Sequence, residues 1–358
     1  MVSTTIHHGG PSKRMTLMKA LLARSYGPPD TFRVERLPIP EPVPGQVQVR
    51  VRAASLNPAD LLMAEGTVRE MVPLEFPHVP GSDFAGTVTK LGPDVDGFAE
   101  GEEVFGFGAP PSFAAGVGIA AVTTGAMAEY AVFQADGPYV AVRPAGLGAE
   151  LAAALPSTGM TGLAVLDAGQ FRPGETVLVV GATGGIGSVI VPLLVKEKNA
   201  AVTATTTPDD EGYVRHLGAT DVIDYLATDV VEETLHRHPG GVDAIVNLAL
   251  QGEWLIQASR ALRPGGRLLS ATPGTPESTA FARDDITVTV VMGTINVPPG
   301  TFPAIAARAL DGRLPDPISR RYRFDEAGQA YKDLAAAKHT RGKFVVAMDS
   351  ARPAHGSS

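Results

Sequence analysis

The feature that most limits what this chain can become is a run of four apolar residues, Val177-Leu178-Val179-Val180, that passes directly into Gly181-Ala182-Thr183-Gly184-Gly185-Ile186-Gly187 and then into an apolar stretch of helical character, Val189 to Val195. Glycines at a strand-to-helix turn let the backbone reverse sharply, let a pyrophosphate approach the main chain, and let helix and strand pack closely. The free N–H groups and positive dipole end of that helix would hold a diphosphate. Pro192 is expected in the first turn or so of the helix, where a missing N–H costs least. No Lys followed by Ser or Thr closes the loop, which argues against a nucleoside-triphosphate loop. The competing reading is a glycine-rich turn made only for packing.

The surroundings weigh against that bland reading. Apolar strand-like runs begin near Thr176, Ala200, Asp221, Val242 and Gly266, at spacings of 24, 21, 21 and 24 residues. That is what a strand, a helix and two short turns consume in successive βαβ units. Val177–Val180 and Ala244–Val246 are continuously apolar, as strands covered by helices on both faces should be. A doubly wound parallel sheet is expected, followed by a further strand over Ile286 to Met292, helices over Thr301 to Leu310 and Phe324 to Ala336, and a closing strand, Lys343 to Val346. Upstream, from Lys19 to about Arg143, the pattern changes to short alternating runs punctuated by Gly and Pro, such as Val47-Gln48-Val49-Arg50-Val51, which predicts antiparallel strands in a small barrel or sandwich. A chain of 358 residues has length for about two domains, each with its own core.

Composition excludes several classes of function. With 30 Lys and Arg against 38 Asp and Glu the formal charge is −8, which speaks against a nucleic-acid binder working through an electrostatic footprint. No run of eighteen apolar residues is present, so no helix is expected to span a membrane. Cysteine is absent, which removes disulfides, thiolate nucleophiles and Cys-containing zinc sites together. The first eighteen residues are polar and read as a loose leader, not a secretion signal, and Ala351 to Ser358 read as a loose tail. A cytoplasmic location is the default expectation.

The end of the second parallel strand selects the dinucleotide, because a carboxylate there binds the ribose diol and repels a 2′-phosphate. Here it reads Thr205-Thr206-Thr207-Pro208, with three hydroxyls and no acid, which favours NADP(H). Asp209 and Asp210 follow at once, and no Lys or Arg is near before Arg215, which pulls the other way. The threonines also serve simply as β-formers.

Asn57-Pro58-Ala59-Asp60, Val79-Pro80-Gly81-Ser82-Asp83-Phe84-Ala85-Gly86, Ala128-Glu129-Tyr130, Leu155-Pro156 through Thr161, the turn Gly181 to Gly187, Leu217-Gly218-Ala219, Arg263-Pro264-Gly265-Gly266 and Gly342-Lys343 together resemble the medium-chain dehydrogenase/reductase superfamily. The resemblance runs from Met18 to about Met348 and is strongest to the zinc-free branch, the quinone oxidoreductases and related enone and enoyl reductases. It implies an α/β fold made of a GroES-like β-rich catalytic domain (residues 18–146 with 295–350) and a Rossmann domain with a doubly wound parallel sheet (147–294), leaving 1–17 as leader and 351–358 as tail. Zinc-dependent members use a Cys, a His and a further Cys or acid for the catalytic metal. Asn57 and Ser82 stand at the first two of those positions, and both are poor zinc ligands. No metal site is therefore expected, and His78 reads as structural.

Hydride transfer without a Lewis acid remains, as when the acceptor is a quinone or an α,β-unsaturated carbonyl. By resemblance, Asn57 and Asp60 lie at the active-site edge, and Thr161 and Asn247 lie near the nicotinamide and its ribose. Gly181, Thr183, Gly184, Gly185, Ile186, Gly187, Thr205, Thr206 and Thr207 form the rest of the expected cofactor site, with Tyr225 and Lys343 at positions that touch the cofactor in relatives. Asn57 is the candidate neutral donor to a substrate oxygen or the ribose. Equally, Asn-Pro-x-Asp is a well-formed helix start, with Asn57 as N-cap and Asp60 facing the orphan N–H groups. Asp83 is read as orienting nearby loops and Tyr130 as packing beneath the cleft.

Two departures from the family pattern matter. Many relatives carry a Tyr shortly after the Asn-Pro-x-Asp segment as a proton donor; here Gly66-Thr67-Val68-Arg69-Glu70-Met71 has none, so a proton must come from water or another residue. Phe105 to Gly125, rich in Ala, Gly and Pro and including Phe107 and Phe113, reads as an apolar wall or lid, or else as a surface insertion. The uncharged run Ile286 to Met292 is an edge-strand candidate for a homodimer. The functions left open are a quinone or enone reductase, an enoyl or polyketide tailoring reductase, and a non-catalytic NADP(H)-binding sensor.

Overall fold

The computed structural model describes residues 16–109, 125–337 and 340–348. The expected tail, and all but the end of the expected leader, lie outside the described residues, as do Phe113 and most of the suspected wall or lid. In chain order the strands are β1 (Leu17–Leu22), β2 (Arg33–Pro38), β3 (Gln46–Ser55), β4 (Asp83–Leu91), β5 (Glu103–Phe107), β6 (Tyr130–Gln134), β7 (Val140–Val142), β8 (Thr176–Val180), β9 (Ala201–Thr206), β10 (Asp221–Asp224), β11 (Val242–Asn247), β12 (Leu262–Ser270), β13 (Thr287–Val290), β14 (Ile318–Arg323) and β15 (Lys343–Ala347).

Strands β8 to β13 form one parallel sheet in the order β10-β9-β8-β11-β12-β13. The order reverses between β8 and β11, so the crevice at that switch point lies beyond the glycine turn that follows β8. The second sheet is seven-stranded and mostly antiparallel, in the order β14-β15-β3-β4-β5-β7, with β6 also paired to β3; β1 and β2 make a separate ribbon. β15, from the far end of the chain, inserts beside β3, and the segment leading into it bridges the glycine turn through Gly342 and Gly184.

The expectation of two separate cores needs correction. One continuous apolar cluster runs from Ala53, Ala85, Phe105 and Phe107 of the β-rich sheet through Ala152–Leu155 into Val177, Val179 and Ala204 of the parallel sheet. The helices Ala149–Ala154 and Pro156–Gly169 carry it across. Phe105 and Phe107 are therefore core residues and line no cleft wall, because β5 turns both inward; Phe105 meets Phe302 edge-on at 5.6 Å. A second cluster fills the β-rich side, where Tyr130 packs, and a third covers the other face of the parallel sheet.

Two local expectations also shift. The helix after the glycine turn spans Gly187–Lys198, so Pro192 sits in its second turn and removes a main-chain bond to the Ser188 carbonyl. Burial of Val189, Ile190, Leu193 and Leu194 against neighbouring elements outweighs that loss. β12 begins at Leu262 instead of near Gly266, because Leu262 already pairs with Val242 before the chain bulges and resumes at Arg267 opposite Ala244. Gly265 makes the bulge at φ 73°.

Candidate active site

The helix Pro58–Glu65 starts at Asn57 in extended conformation, with Pro58 in its first position and Asp60 reaching back to the Asn57 N–H at 2.9 Å. The capping reading is thus realised by the backbone and by Asp60. The Asn57 amide does not cap, and points instead into a polar cluster. Its Nδ2 donates to Asp83 Oδ2 at 3.1 Å, while its Oδ1 accepts from Lys343 Nζ at 2.6 Å and lies 2.9 Å from Ser157 Oγ. The two readings of Asn57 therefore coexist, on different atoms of one residue.

Asp83, fully buried at the start of β4, is the centre of the cluster. Ser55 Oγ, Asn57 Nδ2, Ser157 Oγ and Lys343 Nζ all donate to its Oδ2, and the Ser157 N–H donates to its Oδ1. Lys343 is 4 % exposed and also donates to the Leu56 carbonyl at 3.0 Å. All three ammonium protons of Lys343 are engaged, by the Leu56 carbonyl, Asn57 Oδ1 and Asp83 Oδ2, which is the form in which a buried pair is tolerated. The Lys343 ammonium joins β15 to β3 and β4, and its methylenes lie under the glycine turn of the expected cofactor site. A Cβ placed on Gly185 would come 2.9 Å from Lys343 Cδ.

Asp60 is equally buried but its neighbours differ. Its Oδ2 accepts from the Asn57 N–H and from Tyr331 Oη at 3.2 Å, and Ser82 Oγ lies 3.3 Å from its Oδ1. Burial pushes its pKa up to about 7, with the charge of Asp83 adding to the rise and the Asn57 N–H, Lys343 and Tyr331 opposing it. Tyr331 is itself raised well above its ordinary range by burial and by Asp60.

The glycine turn meets the cluster from the parallel sheet. Gly342 N–H donates to the Thr183 carbonyl at 2.7 Å. A Cβ on Gly187 would stand 2.3 Å from the Ala182 carbonyl oxygen, a contact no side chain makes. Gly187→Ala is accordingly expected to cost about 1–3 kcal/mol of stability through overpacking and to weaken dinucleotide binding. Calorimetry with the cofactor checks both; wild-type affinity in this variant would remove the turn from the site. Gly184, Gly185, Ile186 and Gly187 lead into a helix whose first turn is tied back to them, with the Ser188 N–H donating to the Gly184 carbonyl and the Val189 and Ile190 N–H groups to the Ile186 carbonyl.

Thr161 lies on the helix Pro156–Gly169, almost buried, with its hydroxyl donating to the Ser157 carbonyl and Gly293 packed against it. Asn247 is fully buried at the end of β11. Its Nδ2 lies within 3.1 Å of the Leu250 carbonyl, Ser270 Oγ and Thr272 Oγ1, and its Oδ1 accepts from the Leu250 N–H. Asn247 thus shapes the loop that sets Leu248 and Ala249 against Gly181.

At the end of β9, Thr205 and Thr206 are buried and Thr207 is half-buried. Thr206 Oγ1 is enclosed without a hydrogen-bond partner, an orphaned hydroxyl where a dinucleotide's ribose is expected. Tyr225 stands alongside, its N–H on the Thr206 carbonyl and its phenol raised by burial beside Asp210 and Asp224. A cation missing from the local sequence arrives from elsewhere. Arg341 Nε donates to Asp210 Oδ1 at 2.7 Å, and its guanidinium lies 5.3 Å over the Tyr213 ring. Nothing within a window around β9 signals that contact, since the partners are 131 residues apart.

His78 does not join either cluster. Its main chain bridges Ala23, its Nε2 is enclosed without a partner, and burial lowers its pKa to about 4. Among the described residues no three His, Asp or Glu side chains converge as metal ligands.

Comparison with known proteins places this geometry. Residues 43–144 match the alcohol dehydrogenase GroES-like domain family, and residues 217–346 match the family described as zinc-binding dehydrogenase. The chain is 34% identical over 326 residues to the spectinabilin polyketide synthase system protein NorB of Streptomyces orinoci, covering 86% of this chain and 13% of that much longer protein. It is 33% identical over 281 residues to a chloroplast envelope quinone oxidoreductase homolog of Arabidopsis thaliana, covering 76% of this chain and 80% of the relative. Among solved structures, the quinone oxidoreductase from Coxiella burnetii superposes with a TM-score of 0.82 at 26% identity, covering 93% of this chain and 100% of the other.

Proposed function

The chain belongs to the medium-chain dehydrogenase/reductase superfamily, in its quinone oxidoreductase-like branch, and from that premise we propose that it is a zinc-independent, NADPH-dependent reductase transferring hydride to a quinone or an α,β-unsaturated carbonyl. The observation that carries this reading is the abutment of the Asn57–Ser157–Asp83–Lys343 cluster on the glycine turn, which sets neutral amide and hydroxyl donors beside a dinucleotide cradle. The second N–H of the Asn57 amide, beyond the one given to Asp83, suits an acceptor oxygen that gains electron density during reduction.

The residues present fit a dinucleotide. Gly187 has no room for a side chain, and Thr206 keeps an orphaned hydroxyl. The Gly184–Gly187 turn would hold the diphosphate, Thr206, Thr207 and Tyr225 the ribose region, and Thr161 the nicotinamide side. Arg341 supports NADPH over NADH, because it brings a guanidinium to the end of β9, where Thr205–Thr207 offer no acid. When bound, the nicotinamide supplies the hydride. The protein aligns donor and acceptor carbons and keeps water out. In this reading residues 147–294 carry the cofactor, and 18–146 with 295–350 carry the acceptor side.

One finding favours a second reading: the NorB likeness over 86% of this chain points to a tailoring reductase acting on a polyketide-like enone or enoyl substrate. We further propose a cytoplasmic homodimer built through β13, a sheet edge on which Val290 and the nearby Met292 are exposed. No described helix is long and apolar enough to cross a membrane.

Fluorescence titration with NADPH and NADH, followed by the decay of reduced-cofactor absorbance on adding a quinone, a small enone and an enoyl thioester, tests the proposal. NADPH should bind more tightly than NADH and be oxidised by the quinone or enone. Faster turnover of the thioester would select the tailoring reading. Binding without any turnover would leave the sensor.

A further inference from the structure

The acceptor reduced by hydride also needs a proton, and the segment that carries a donor Tyr in many relatives has none here. Resting on the reductase reading, we propose that Ser82 is the catalytic proton donor to the reduced acceptor, and that Asp60 stands behind it as the source that recharges it.

The argument starts from the two buried carboxyls. Asp83 receives a lysine ammonium and four neutral donors. Asp60 receives only neutral donors on Oδ2, the Asn57 N–H and the Tyr331 O–H, and faces the charge of Asp83. When two carboxyls are placed in environments this unequal, the proton resides on the one without the cation. Since both hydrogen bonds to Asp60 Oδ2 come from donors, that oxygen acts as an acceptor and the acid proton belongs on Oδ1. The hydrogen-bonding neighbour of Oδ1 among the described residues is Ser82 Oγ, at 3.3 Å, a hydroxyl that donates to Oδ1 when Asp60 is ionised and turns to accept from it when Asp60 is protonated. Tyr331, itself fully buried, closes the opposite side of Asp60, so the proton's way out runs through Ser82.

Ser82 ties Asp60 to the Asn57–Asp83 cluster through the chain. It immediately precedes Asp83, whose carboxylate binds the half-buried Asn57 and Ser157 side chains at the junction with the glycine turn. The step balances as follows. Hydride from the reduced nicotinamide forms the new C–H or O–H bond of the acceptor and leaves an enolate or a hydroquinone monoanion, while the nicotinamide is oxidised. The Ser82 O–H bond breaks as its proton joins the acceptor. The Asp60 Oδ1 proton moves to Ser82 Oγ, and the resulting Asp60 carboxylate is held by the Asn57 N–H and Tyr331 O–H. Water recharges the pair through Ser82 once product has left.

The groups facing Asp60 are Asn57, Ser82, Asp83, Tyr331 and Lys343; with Asp60 the member that titrates near neutrality, turnover of an enone should fall as pH rises through about 7. Ser82→Ala should lower kcat by about 10²-fold, the usual contribution of a positioned acid, with NADPH affinity unchanged, and Ser82→Thr should recover most of it. Asp60→Asn should lower kcat and flatten the pH profile in the same window. Infrared spectroscopy on the cofactor-free protein supplies a readout independent of turnover. A protonated-carboxyl band should titrate away near neutral pH, vanish in Asp60→Asn and shift in frequency in Ser82→Ala. Should Asp60→Asn not fold, the Ser82 variants decide alone. Wild-type turnover matched by Ser82→Ala, or an infrared band absent from wild type, overturns the relay and leaves the reductase reading standing. Absence of any turnover by the wild type overturns both.

Discussion

Lys343→Met is expected to destabilise the protein by about 3–5 kcal/mol, read from urea unfolding, because it removes the cation from a buried pair and leaves the other charge in place. Asp83 and Lys343 are both buried, and no solvent can replace the lost ammonium. The variant also strips the Leu56 carbonyl and Asn57 Oδ1 of a donor. Met keeps most of the side-chain length, so the packing beneath Gly185 survives and the charge is what is tested. Asp83→Asn, which leaves the ammonium uncompensated, should cost a similar amount. The double variant should cost less than the two singles added together, since each then removes what the other strands. A loss below about 1 kcal/mol in Lys343→Met would mean that the pair is a surface-like contact and that the two sheets are joined by apolar packing alone.

Much of the fold is legible in the chain because it rests on local regularities. Strand starts at Thr176, Asp221 and Val242 coincide with the βαβ spacing, and the Thr301–Leu310 helix has the expected limits. The places where reading and structure part are those where a distant contact overrides a local signal. Pro192 is carried inside its helix by burial on either side of it, and Leu262 enters β12 early because Val242 offers it a pairing partner. The two Phe residues of β5 look like cleft lining in a Gly- and Ala-rich neighbourhood, yet β5 aims both at the shared core.

The site is legible in a different way. Asn57, Asp60 and the glycine turn are marked by residue types in short motifs, and the structure brings Asn57 and the turn to one junction through Lys343. What the motifs conceal is which atom does what. The helix start at Asn57 uses its backbone, which frees its amide for Asp83 and Lys343. The partners of Ser157 and Arg341 carry no local signal: Ser157 reaches Asp83 across 74 residues and Arg341 reaches Asp210 across 131. Such polar contacts join elements far apart in the chain, and no periodicity encodes them.

The pH dependence of stability follows from two buried groups that pull in opposite directions. Asp60, raised from 3.8 to about 7, binds its proton more tightly in the folded state than in the unfolded one. Its contribution is therefore fully present below about pH 4 and lost as pH rises to about 7, a change of about 4 kcal/mol. His78, lowered from 6.5 to about 4 by burial, is held neutral in the fold. Its contribution is present above pH 6.5 and lost as pH falls to about 4, by about 3 kcal/mol. The two windows overlap, so in the wild type the slopes largely offset one another. Asp60→Asn removes the term that favours acid: relative to wild type, its unfolding free energy should become worse on going from pH 7 to pH 4. His78→Gln should tilt the difference the other way, with its relative stability improving over the same interval. Unfolding in urea at several pH values, taken as variant minus wild type, cancels the surface carboxylates common to all three proteins. Two difference curves of the same sign would show that Asp60 is ionised throughout, and with it the proton store behind Ser82 would be gone.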